Sequence, residues 1–128
     1  MNTPKKFRVW DVTNKKFLPQ SHFAILGNGK LIVSDSGHYI HFTNTNKEDY
    51  IVQEYTGLTD KNGNPIFEDD IVKWGDLNYL VEWNDIAYKW QGRCPYYHSY
   101  HHPTTENFRD LMNGVIVGNY FENNELLK

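Results

Sequence analysis

Three imidazoles fall within five residues, at His98, His101 and His102, and Cys94 stands four positions before the first. Zinc takes nitrogen and sulfur ligands of this kind in a tetrahedral set. The spacing fits no standard zinc pattern. There is no paired Cys-x-x-Cys, and adjacent side chains such as His101 and His102 point to opposite sides of an extended backbone. The run reads instead as a polar, aromatic loop carrying exposed imidazoles, with no metal and no cofactor expected.

A second group is Glu68-Asp69-Asp70. Paired carboxylates can hold a metal or divide acid and base roles, but only when they converge on one atom. Three consecutive residues on an extended chain do not converge. Turn chemistry explains all three more simply, because Asp bonds its own backbone and tolerates left-handed φ. Nucleophilic motifs are missing: there is no Gly-x-Ser-x-Gly, no phosphate-cradling glycine loop and no dinucleotide fingerprint. Gly27-Asn28-Gly29 reads as a hairpin, since a strand follows where a phosphate site would need a helix N-terminus.

Aromatic rings are the remaining resource. Trp74, Tyr79, Trp83, Tyr88, Trp90, Tyr96, Tyr97 and Tyr100 crowd one third of the chain. Most belong in a core, since Trp and Tyr bury large areas in small β folds. The surplus in the loop cannot all do so. Tyr96, Tyr97 and Tyr100 beside His98 and His101 have the composition of an interaction surface. The same rings could stack on single-stranded bases. That mode also wants a cationic groove, and only Arg93 lies nearby.

Net charge is −3, so no global positive field exists to hold a polyanion. The charge is unevenly placed. Lys5, Lys6, Arg8, Lys15 and Lys16 crowd the start, and Glu48, Asp49, Glu54, Asp60, Glu68, Asp69 and Asp70 crowd the middle. These read as two solvated faces. A chain of 128 residues is one domain's worth and can bury a core without staples. The single cysteine rules out an internal disulfide and fits a reducing compartment. No apolar run approaches the ~20 residues of a membrane helix, and no apolar segment follows Lys6 as in a signal peptide.

The elements that must position these residues are organised around Tyr55–Trp74. Gly57 breaks an apolar run. Asp60-Lys61-Asn62-Gly63-Asn64-Pro65 is a cluster of turn formers, and Asn62-Gly63 predicts a type I′ hairpin turn. Ile66-Phe67 is a short apolar step, Glu68-Asp69-Asp70 a second turn, and Ile71-Val72-Lys73-Trp74 a strand start. Two turns flanking a short apolar step, then a strand, is how small β-barrels begin. Gly57, Asn62, Gly63, Asp69 and Asp70 are thus architectural.

Before this stretch, period-2 alternation predicts strands at Phe7–Val12 and His38–Thr43, and short apolar runs predict strands at Phe23–Leu26 and Leu31–Val33, with turns at Thr13–Lys16 and Gly27–Lys30. A polar loop covers 44–49. After it come a hairpin turn at Gly75–Asn78, strands Tyr79–Trp83 and Ile86–Trp90 about a turn at Asn84-Asp85, and a long loop from Gln91 to Thr105. Phe108, Leu111 and Met112 stand at i, i+3, i+4, which predicts a short helix over 104–112. Val115–Asn119 is a last strand, and 122–128 a tail with one helical turn.

The words Tyr-Thr-Gly-Leu-Thr-Asp-Lys-Asn-Gly (55–63) and Ile-Phe-Glu-Asp-Asp-Ile-Val (66–72) resemble the signature of the YopX family, small proteins of bacteriophages and prophages. Lys6-Phe7-Arg8-Val9-Trp10-Asp11 with Lys15-Lys16-Phe17 is similar to the family's opening, and Gly118 to Leu127 to its closing segment. Two departures stand out: Asp69 where the family usually has Gly, and Asn124 where it usually has Pro. The resemblance implies a mainly β fold and a phage origin. It implies no activity.

The sequence therefore predicts one mainly β domain over 1–128, with antiparallel strands over 1–49 and a small SH3-like or barrel-like lobe over 50–128 carrying one short helix. The expected function is non-enzymatic: an interaction module of the bacterial cytoplasm, off the membrane, binding a protein or its own copies through Tyr96, Tyr97, His98, Tyr100 and His101. Single-stranded nucleic-acid binding is the second reading. A metal-dependent enzyme using the His98–His102 loop is the third.

Overall fold

The computed structural model describes residues 6–34, 49–99, 102–107 and 111–128, with side chains given outside 96–110. The strand expected at His38–Thr43 lies outside the described residues. The chain is mainly β and divides into two compact units, one of Phe7–Gln53 and one of Met1–Lys6 with Glu54–Lys128.

In the first unit, β1 (Phe7–Asp11) turns back into β2 (Lys16–Phe17) and also neighbours the start of β5 (Tyr50–Thr59). The loop between β1 and β2 is built on Asp11. Its Oδ1 accepts from the N–H groups of Thr13 and Asn14, both at 3.1 Å, and Lys15 closes the loop at φ 54°. Burial pushes the Asp11 carboxyl up, but the Asn14 side chain, the two N–H groups and the nearby Lys16 bring it below the ordinary range. β3 (Phe23–Ile25) and β4 (Leu31–Val33) form a hairpin whose Leu31 and Val33 bury with Val9. In its turn the Gly29 N–H donates to Leu26 O at 2.8 Å.

In the second unit, the rest of β5 pairs with β6 (Pro65–Phe67). A five-stranded antiparallel sheet follows, in order β10-β9-β8-β7-β11, and curls into a half-barrel. Its strands are β7 (Asp70–Trp74), β8 (Leu77–Asn84), β9 (Lys89–Ser99), β10 (His102–Asn107) and β11 (Val115–Asn119). Period 2 sorts the faces. Val72, Tyr79, Val81 and Cys94 bury on one face with Ile66 and Leu111. Ile71 and Leu80 bury on the other against Leu127.

Two glycines make this packing possible. A Cβ on Gly92 would collide with Leu111 Cδ1 and lie 3.0 Å from Tyr79 Cβ, so Leu111 sits directly over the bare backbone of β9. A Cβ on Gly114 would lie 2.7 Å from Val72 Cγ1. The Gly114 N–H donates to Leu111 O at 2.9 Å.

Two expectations give way here. The long loop over Gln91–Thr105 is a strand hairpin, β9 with β10. Of the helix expected over 104–112, residues 104–107 are strand and Leu111 is helical, while 108–110 lie outside the described residues. The helical turn expected in the tail is present and begins earlier than 122, as α1 (Tyr120–Asn123), continued by a 3₁₀ turn at Asn124–Leu127. Asn119 caps it, accepting from Phe121 and Glu122 N–H at 3.0 Å each.

Candidate functional site

The central stretch is held by backbone-directed side chains. Asp60 is buried, and its Oδ1 accepts from Asn62 N–H and Asn64 N–H at 2.9 Å each. Its Oδ2 accepts from Ile116 N–H at 3.0 Å. Burial pushes this carboxyl up; donation from Ile116, Asn64 and Asn62, with the Asn64 side chain, outweighs it and leaves the pKa below the ordinary range. The Gly63 N–H donates to Asp60 O at 3.0 Å, and only Gly63 of the pair Asn62-Gly63 has positive φ. The turn is therefore not type I′, which needs positive φ at both residues. It is a three-residue loop ending in a left-handed glycine, selected by the Asp60 side chain.

Gly57 (φ 88°) does not end β5 but lets it bulge between Tyr55 and Thr59. The Thr56 hydroxyl donates to Ile66 O at 2.7 Å across the gap. Asp69 has φ 66°, and its N–H donates to Val81 O at 2.9 Å. Asp70 is buried, and its Oδ2 accepts from Phe67 N–H at 2.8 Å. The second turn thus uses its two aspartates differently, one for its φ and one for its oxygen.

The β8–β9 hairpin departs from expectation at its tip. Asn84 pairs with Lys89, so Ile86, Ala87 and Tyr88 lie in the loop rather than on a strand. The Asn84 Oδ1 accepts from Ile86 N–H and Ala87 N–H at 3.0 Å each, and Tyr88 closes the loop at φ 52°. This repeats the loop between β1 and β2, with Asn84 for Asp11 and Tyr88 for Lys15. That shared pattern was the signal in the sequence for a four-residue loop.

Below the tip, Trp83 and Trp90 face each other across the strands, ring centres 5.3 Å apart in a T-shaped pair. Trp83 is 41% exposed, Ile86 93% and Tyr88 80%. The opposite face of the hairpin is polar. Glu82 Oε1 accepts from Gln91 Nε2 at 3.1 Å and from Arg93 Nε at 3.0 Å, and Asn84 Nδ2 donates to Gln91 Oε1 at 2.9 Å.

Tyr96, Tyr97 and His98 lie on β9; Tyr100 and His101 lie outside the described residues. His98 pairs with Pro103, whereas Cys94 pairs with Thr104. Pro95, Tyr96 and Tyr97 are therefore bulged out of register. Pro95 suits this, having no N–H for the ladder. Cys94 is fully buried in the core, which removes it from any exposed ligand set. Among the described residues no group of three His, Cys, Asp or Glu is placed to hold a metal. Nor is any described helix long and apolar enough to cross a membrane.

The fold is similar to that in the crystal structure of protein EF1440 from Enterococcus faecalis. The match has a TM-score of 0.63 and 23% identity, covering 99% of this chain and 100% of that one. No curated protein matches the sequence. The YopX protein family matches residues 6–128, which includes the Asp60 loop, the Asp69-Asp70 turn and the capped C-terminal helix. The chain belongs to the YopX family.

Proposed function

We propose that this chain is a non-enzymatic protein-interaction module, encoded by a phage or prophage and acting in the bacterial cytoplasm. One observation carries the reading: the β8–β9 hairpin holds Ile86 and Tyr88 out in solvent on a well-braced loop, above the partly exposed Trp83 of β8. Large apolar side chains grouped at one exposed point mark contact surfaces more than they mark a stable monomer's skin. The bulge at Pro95–Tyr97 lies further along β9 of the same hairpin. The phage setting rests on the family resemblance, and the reducing compartment on a single, buried thiol.

The test compares the parent with Ile86→Ser/Tyr88→Ser and with Tyr96→Ser/Tyr97→Ser/Tyr100→Ser. Oligomer size and recovery of bound protein from cells carrying the gene are measured beside the melting temperature. The reading requires association to weaken in at least one variant while the melting temperature holds. Unchanged association in both would reject it.

A further inference from the structure

We draw no further inference here: the strongest candidate, the exposed patch of Ile86 and Tyr88 at the tip of the β8–β9 hairpin, belongs to the surface on which the interaction reading already rests, and nothing in the structure shows what covers it.

Discussion

Asp60 Oδ2 accepts the Ile116 N–H at 3.0 Å, joining residues 56 positions apart. The same carboxylate shapes the loop at 62–64 with its other oxygen. One buried side chain therefore sets a turn and also ties it to the last strand. Asp60→Ala leaves three N–H donors without their acceptor. It should destabilise the protein by about 2–4 kcal/mol in urea melts. A loss under about 0.5 kcal/mol would mean that water replaces the carboxylate at little cost.

The same group makes stability fall in acid. Its folded pKa lies below the ordinary carboxyl value of 3.8, so the unfolded chain takes up the proton first. The stability that Asp60 contributes is complete above about pH 5 and is lost as pH falls through 3.8 toward the folded value. Asp60→Asn should flatten that decline in chemical melts between about pH 5 and pH 2. Asp11 is shifted the same way, so some slope should remain in the variant.

Asp69 and Asp70 should separate cleanly. Asp69→Gly, at φ 66°, should be neutral or stabilising by up to about 1 kcal/mol. Asp70→Ala should cost about 1–3 kcal/mol, because the Phe67 N–H loses its acceptor. Equal stability of Asp70→Ala and the parent in urea would remove the architectural role of Asp70.

Gly92 and Leu111 should couple. Gly92→Ala drives a Cβ into Leu111 and should cost about 1–3 kcal/mol. Leu111→Ala should cost about 2–5 kcal/mol as a cavity. The double variant should be less destabilised than the sum, by at least about 0.5 kcal/mol. Strict additivity would mean that the contact is not the source of either loss.

Single-stranded DNA should bind no tighter than about micromolar at physiological salt, given a net charge of −3. Nanomolar binding by fluorescence anisotropy, with a steep salt slope, would favour the nucleic-acid reading over the protein one.

Much of the fold was legible because apolar runs bounded by turn residues mark strands. β1 read from its alternation, and β3, β4, β7, β8 and β11 from short apolar or β-branched runs. β9 did not, although Gly92 and Cys94 lie on one face and Gln91 and Arg93 on the other. Gly92 carries no side chain to register, and the space over it is filled by Leu111 from elsewhere in the chain. Leu111 suggested a helix by its spacing from Phe108 and Met112, and it is helical; its apolar side chain also covers the bare strand at Gly92. The tip was misread for a different reason. Ile86, Tyr88 and Trp90 alternate like a strand, and only the acceptor geometry of Asn84 diverts them into a loop. The two family departures are local matters of φ. Asp69 holds the left-handed φ that Gly takes most cheaply, and Asn124, at φ −62°, the value that Pro fixes.

The glycine turns also bear on how the molecule ages. Asn-Gly occurs at 28–29, 62–63 and 113–114, the pairing most prone to spontaneous deamidation. That reaction needs the glycine nitrogen to leave its own bonds and attack the asparagine side chain. In all three places the nitrogen is engaged, with Leu26 O, Asp60 O and Leu111 O as its acceptors. The turns that shape the hairpins therefore also slow the chain's chemical clock. Denatured protein should accumulate aspartate and isoaspartate at these positions faster than native protein stored under the same conditions.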